Sequence, residues 1–311
     1  MTAVRSRQVR RFRRYGVGVA GACLVVGAGV ALPGAGAAGF AGTFKSLAAA
    51  DGVRATLIMP GVTVTKSLVD IGAPSAQATL NSLGESRAFA SIPYPGDTAV
   101  TAPGTVAGAT TGDVNLPNYP LYAFSDHPAR PEHEVGDGPL AMRAASNQTS
   151  SAGEASAGLR SPGIGELALS RASASITSTD QAVTAAALTE ITSFAVGPLE
   201  IGQVVSDAQA SFDRAGELTR RADTRIVGVA VAGTPVQVTP AGVGAGGEPT
   251  PPPDLAPLNE ALAPAGISVE FVPAHETDTG VVAPAVRVSQ DLDSGSRLVY
   301  VLGSATASVE G

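Results

Sequence analysis

Two of the three histidines in the chain, together with four carboxylates, fall between residues 126 and 137. Imidazole and carboxylate groups bind Zn²⁺ and other divalent ions, so this stretch holds the candidate metal ligands, Asp126, His127, Glu132 and His133. Two prolines predict an irregular loop here, and no predicted helix places both histidines on one face, as a zinc hydrolase motif requires. We therefore interpret the stretch as a solvated acidic loop, and metal binding is the alternative.

Two shorter patterns partly match a calcium-binding loop and a nucleophile elbow, but their missing residues and their flanking sequences argue against both functions. Residues 291–295 (DLDSG) begin like a calcium loop, but a third ligand and a distal glutamate are missing, and the same residues are typical of a hairpin turn. Residues 84–88 (GESRA) approximate a nucleophile elbow, but the second glycine is absent and the flanking alternation predicts a hairpin. Neither pattern assigns a catalytic residue, and the sequence predicts no cofactor.

Aromatic residues make up only 4% of the chain. Several of them lie near prolines and are candidates for the lining of a ligand groove: Phe89, Tyr94, Tyr119, Tyr122 and Phe124. Large rings contribute most to stability when they are buried. We therefore interpret these side chains as part of the core, and a groove is the alternative.

The N-terminus has the three parts of a secretory signal peptide. Six arginines between residues 5 and 14 precede an uncharged apolar segment, residues 16–32, which is followed by a proline and several small residues. We expect cleavage after Ala37 or Ala38. The alternative is a retained N-terminal anchor, because residues 16–32 approach the length that crosses a bilayer. The protein is predicted to be secreted or held at the cell surface.

Removal of this leader makes the chain strongly acidic. It takes six of the 20 basic residues and none of the 27 acidic ones, which leaves a formal charge of −13. Such a surface repels nucleic acids and anionic headgroups, so we expect no nucleic-acid partner and no membrane contact except through residues 16–32 if they are retained. Cys23 is the single cysteine and lies in the leader, so the mature chain has no thiol chemistry.

Alternating apolar and polar residues predict antiparallel β-hairpins. The patterns cover residues 76–92, 208–231 and 286–309, with further strands at 52–59, 181–194, 225–238 and 267–272. One helix is predicted at 254–263, with Asp254 as its N-cap and three leucines on one face. The predicted fold is mainly β, a sandwich or an elongated curved sheet of antiparallel hairpins, with one short helix.

Composition divides the chain into four parts. Residues 1–38 are the leader, residues 39–96 a first β segment, residues 97–165 a low-complexity, loop-rich region, and residues 166–311 a second β segment. The second β segment contains a Pro/Gly-rich loop at 240–253, which precedes the helix.

The leader, the run LPNYPLY at 116–122, and the stretch 191–243 with PLEI at 198–201 and GTPV at 233–236 resemble uncharacterised exported proteins of high-GC actinobacteria. The resemblance implies export but no activity. We expect a non-catalytic structural or binding protein of the cell envelope or extracellular space, whose partner is an envelope component or an apolar small molecule. The alternatives are a carrier that holds a lipid-like ligand in a curved sheet, and a secreted hydrolase.

Overall fold

The computed structural model describes residues 39–60, 69–93, 122–137, 140–161, 165–236, 241–243, 254–292 and 295–311. These residues belong to one compact unit, Leu32–Gly311. The predicted leader, Tyr94, Tyr119, Asp293 and most of the loop predicted at 240–253 lie outside the described residues.

The described strands form two antiparallel sheets. The first sheet contains β1 (Lys45–Ile58), β2 (Val69–Asn81), β3 (Ser86–Ser91), β4 (Tyr122–Asp126), β14 (Ile267–Val272), β15 (His275–Thr277), β16 (Gly280–Val282), β17 (Ala285–Asp291) and β18 (Arg297–Glu310). The second contains β5 (Glu132–Asp137), β6 (Leu140–Asn147), β7 (Ser150–Ser161), β8 (Gly165–Ser178), β9 (Ala182–Val196), β10 (Leu199–Asp213), β11 (Leu218–Val231), β12 (Thr234–Val236) and β13 (Ala241–Val243).

The strand order shows how the chain divides between the sheets. The first sheet runs β14-β17-β18-β1-β2-β3-β4, with the β15–β16 hairpin attached to β18. The second runs β12-β11-β10-β9-β8-β7-β6-β5, and β13 also pairs with β11. The described residues nearer the two chain ends therefore build one sheet, and those in the middle build the other. The mainly β fold with antiparallel sheets and one short helix is confirmed in the described residues. The two sheets pack face to face, which is the first of the two predicted arrangements, a sandwich.

Two hairpins, one in each sheet, end in matching turns. Asn81 Oδ1 accepts hydrogen bonds from two backbone N–H groups of the β2–β3 turn, at 3.0 and 3.1 Å. Asp213 Oδ1 does the same in the β10–β11 turn, at 2.9 Å for both. Each turn has a glycine with a positive φ, 76° at Gly84 and 81° at Gly216, a conformation that glycine adopts without steric cost. Both hairpins were predicted from their alternation.

Two expectations from composition differ from the structure. The chain from 122 to 161 forms β4 to β7, although it lies in the region predicted to be loop-rich, and β7 pairs with β8 across the boundary drawn at 165. The first strand begins at Lys45, seven residues before the predicted start at 52. Both differences have the same cause. The inward positions of these strands are mostly alanine and serine, whose hydrophobicity differs little from that of the outward residues, so the alternation is weak in the sequence.

The helix, α1 (Ala256–Leu262), is shorter than predicted, and its N-cap is Leu255 instead of Asp254. The Asp254 carboxylate still accepts a hydrogen bond from the Ala256 N–H at 3.0 Å, so it satisfies one of the free donors of the first turn. A 3-10 turn follows, and Gly266 ends it with a φ of 66°. Leu258 and Leu262 are buried, as the spacing of the leucines predicts.

The interior has an alanine-rich middle. Its central cluster holds fourteen buried alanines, from both sheets and the β16–β17 connection, and only a few larger side chains, such as Phe44, Leu80 and Ile176. Gly153 of β7 shows how closely the sheets approach: a Cβ there would lie 2.5 Å from the Phe89 carbonyl oxygen and 3.0 Å from that of Gln77, both in the first sheet. The small side chains thus allow a thin interior that is nevertheless filled.

A buried row of hydroxyl groups separates this middle from a thicker end of the sandwich. Thr189, Ser206 and Thr224 are paired across β9, β10 and β11, and each is fully buried. Gly303 of the first sheet faces this row, and a Cβ there would overlap Ser206 Oγ. Beyond the row, valine, isoleucine and leucine side chains replace alanine, and α1 packs among them.

Candidate functional site

The four candidate metal ligands lie in and around the connection between β4 of the first sheet and β5 of the second sheet. Asp126 ends β4, His127 is in the following turn, and Glu132 and His133 begin β5. The Asp126 carboxylate is 3.3 Å from Arg87 Nε of the neighbouring strand β3. Glu132 is exposed. The segment is therefore a short turn between two strands, and Glu132 and His133 lie in a strand instead of the predicted irregular loop.

His133 has a defined structural partner. Its Nδ1 accepts a hydrogen bond from the backbone N–H of Phe124 at 3.1 Å. Phe124 lies in β4, the last strand of the first sheet, and unpaired N–H groups on such a strand invite pairing with another chain. The His133 ring therefore satisfies a backbone N–H group at this edge of the sheet.

The structure does not bring the four candidates together as a ligand set. Across the described ranges, no three side chains from histidine, cysteine, aspartate and glutamate are close enough to hold one metal ion. Asp126 faces an arginine and His133 bonds to backbone. The geometry of this stretch thus fits a strand-to-strand connection better than a metal centre.

The other sequence candidates also have structural partners where the structure describes them. Ser86, the serine of the GESRA pattern, donates its hydroxyl to the Asn147 carbonyl at 2.6 Å and so links the two sheets. Asp291, from the DLDSG pattern, is 2.7 Å from Arg297 Nε across the β17–β18 hairpin. Neither side chain is positioned as a nucleophile or as part of a calcium loop in the described residues.

The candidate aromatic residues are partly described. Phe89 and Tyr122 stack with ring centroids 6.1 Å apart and planes 23° from parallel, and Phe89 is directly opposite Phe124 in the β3–β4 pair. All three are half-buried and lie on the outward side of these strands, because the intervening Ala88, Ala90 and Ala123 face the core. They are therefore not part of the core between the sheets, which corrects the interpretation from sequence.

An apolar crevice lies beneath α1, among the valine, isoleucine and leucine side chains beyond the hydroxyl row. Leu258 of the helix, Ile226 of β11 and Val269 of β14 contribute to it. Its free volume is about 10 Å³, which is close to the minimum that one water molecule needs. This crevice has room for about one small molecule of solvent and not for an acyl chain.

The outward face of the second sheet carries two aspartates that the sequence analysis did not single out. Asp207 of β10 lies directly opposite Asp223 of β11. Partial burial is the main cause that raises the pKa of Asp207. The carboxylate of Asp223 also raises it, whereas Arg221 and Arg225 lower it. The pairing was available from the sequence, because the predicted turn at Gly216 fixes the register of this hairpin.

Burial likewise raises the pKa of the Tyr300 hydroxyl. The ring of Tyr300 packs edge to face against Phe194 of the other sheet, with centroids 5.4 Å apart. This pair joins β18 to β9 in the thick end of the sandwich. The raised pKa is therefore a consequence of core packing and does not by itself indicate chemistry at Tyr300.

The helical segments of the described chain are too short or too polar to cross a bilayer. Comparisons of the chain with protein-family models, with curated proteins and with solved structures give no match.

Proposed function

We propose that the chain is an exported, non-catalytic protein with a structural or binding role in the cell envelope or extracellular space. One observation carries the proposal: the space between the two sheets is filled by small side chains, so closely that a Cβ on Gly153 would lie 2.5 Å from a backbone oxygen of the facing sheet. A carrier of lipid-like molecules needs a cavity of several hundred cubic ångströms. A filled, thin sandwich is suited instead to act as a rigid scaffold.

The hydrogen bonds of Ser86 and His133 support the same proposal over a secreted hydrolase. Ser86 Oγ and His133 Nδ1 both bond to backbone atoms that connect strands. A hydrolytic serine and its histidine instead bond to each other, with a carboxylate that orients the histidine. We propose that the partner of the scaffold is an envelope component that binds to its acidic surface.

Cell fractionation tests the export step. The full chain with a C-terminal epitope tag, produced in an actinobacterial host, is expected in the envelope or medium fraction with its N-terminus at residue 38 or 39. Val26→Arg places a charge in the apolar segment of the leader and is expected to keep the protein inside the cell. Arg10→Lys/Arg11→Lys is the matched control, and its export is expected to continue because the leader stays basic. A parent chain found in the cytosol with residues 1–38 intact would overturn the proposal.

A further inference from the structure

The edge strand β14 of the first sheet is closed by a side chain of α1. Asn259 Oδ1 accepts a hydrogen bond from the Val269 N–H at 2.7 Å, and Asn259 Nδ2 donates to the Val269 carbonyl at 3.0 Å. A carboxamide in this position makes the two bonds that the peptide group of a neighbouring strand would make. The side chain therefore occupies the place of a missing strand.

The remaining attachments of α1 are few. Leu258 and Leu262 are buried in the core, whereas Ala256, Pro257, Glu260 and Ala261 are exposed. The helix has seven residues, which is too short to be stable without tertiary contacts. In the sequence it follows the Pro/Gly-rich run at 240–253, and Gly266 ends the turn that joins it to β14. The helix is thus a small element held by Leu258, Leu262, its N-cap residue Leu255 and one amide pair.

We propose that β14 is a strand-pairing site for a second copy of this chain, and that α1 keeps the site closed through Asn259. The backbone groups of Val269 that bond to Asn259 point away from β17, the neighbour of β14 on its other side. When α1 is displaced, these groups are free to pair with an extended segment. Ile267 and Phe271 direct their backbone groups to the same edge, because the direction alternates along an antiparallel strand.

The residue pattern of β14 favours its own copy as the occupant. An antiparallel pair centred on Val269 places Ile267 of one copy opposite Phe271 of the other, with all of these side chains directed to the core side. Ser268 then lies opposite Glu270 on the outward side, so the register brings no two carboxylates together. Glu270 is already paired with Arg287 in its own sheet at 2.8 Å. The strand is therefore self-complementary in shape and charge.

Sedimentation velocity of the full chain over a range of concentrations tests the proposal. Asn259→Ala removes both bonds to Val269, and we expect the dimer dissociation constant to fall at least tenfold relative to the parent. Glu260→Ala changes the next, exposed residue of the same helix and is expected to behave like the parent. Hydrogen exchange is expected to show faster exchange of the Val269 amide in the monomer of the Asn259→Ala variant.

Substitution of the exposed Ser268 identifies the interface. Ser268→Glu in the Asn259→Ala background places a carboxylate opposite Glu270 of the other copy and is expected to restore the monomer. Ser268→Lys in the same background is expected to tighten the dimer. If Asn259→Ala does not fold, Asn259→Asp is the milder variant, because it keeps the acceptor for the Val269 N–H. The proposal is overturned if the folded Asn259→Ala variant stays monomeric. It is also overturned if that variant associates to the same extent whatever the charge of residue 268.

Discussion

Replacement of Gly153 by alanine tests how closely the two sheets approach. The added methyl carbon would lie 2.5 Å from the Phe89 carbonyl oxygen and 3.0 Å from the Gln77 carbonyl oxygen. Both atoms belong to the backbone of the facing sheet, so neither moves aside without displacing a strand. Overpacking of this kind costs about 1–3 kcal/mol, and a value near 3 kcal/mol is expected because the obstacle is backbone.

A second effect of Gly153→Ala, on the unfolded chain, opposes this destabilisation. Alanine reduces the conformational freedom of the unfolded chain relative to glycine, which stabilises the folded state by about 0.4–1 kcal/mol. The expected net loss for Gly153→Ala is therefore about 2 kcal/mol in the free energy of unfolding. Ser156→Ala is the matched control, since Ser156 lies three residues along β7 on the outward face. Its effect is expected to stay within about 0.5 kcal/mol.

Equilibrium unfolding in urea measures both variants. We expect a lower midpoint for Gly153→Ala with an unchanged slope, because the surface exposed on unfolding stays the same. Equal midpoints for Gly153→Ala and the parent would show that the sheets stand further apart than the structure has them. The explanation of the alanine-rich interior would then fail.

Four other substitutions have defined outcomes. Asp207→Asn is expected to raise stability at pH 7 but not near pH 3. Burial raises the pKa of Asp207 in the folded protein above the usual value of an aspartate, so the folded state loses stability as the pH rises through this range. Urea midpoints at both pH values check this. Leu262→Ala, at a fully buried position, is expected to cost about 2–5 kcal/mol by urea unfolding. Phe40→Ala removes ring contacts at 6.0 and 5.9 Å, and because the ring is only partly buried we expect a calorimetric loss below the 3–5 kcal/mol typical of buried rings. Thr224→Val leaves the Pro284 carbonyl without the hydroxyl donor it has at 2.6 Å and is expected to cost about 1–3 kcal/mol by the same scan.

The long hairpins were predictable because their alternation is complete. In β9 the buried and less buried positions follow one another from Ala182 to Phe194 with few exceptions, and the predicted strand at 181–194 matches it closely. The alternation of Ala208, Ala210 and Phe212 before the turn at Gly216 likewise fixed both strands of the β10–β11 hairpin. The alternation of apolar and polar residues along a strand involves only neighbouring positions, so it is visible in a single sequence.

The strands between 122 and 161 were missed because their burial does not depend on large apolar side chains. Ala144, Ser146 and Ser151 are fully or almost fully buried, yet alanine and serine are also common in loops. What buries them is the close approach of the first sheet, which is a long-range property. The same holds for Asn259, whose amide has a role only because α1 lies against β14.

The partners of the four candidate metal ligands were also not visible in the sequence. Closeness in sequence suggested that Asp126, His127, Glu132 and His133 form one group, but the chain leaves one sheet and enters the other between them. Asp126 then faces an arginine of β3, and His133 bonds to the backbone of β4. The partners of these side chains are set by the pairing of β4 with β3 and of β5 with β6. No local pattern in the sequence shows that pairing.

Native mass spectrometry of the protein recovered from the envelope or medium of producing cells tests the central claim, a filled interior that serves as a scaffold. Gentle desolvation keeps noncovalent apolar ligands bound, so a carrier purified in this way retains its cargo. For a filled interior we expect a mass equal to that of the processed polypeptide alone, and no fatty acid or lipid in an organic extract of the sample. A stoichiometric lipid adduct would contradict it.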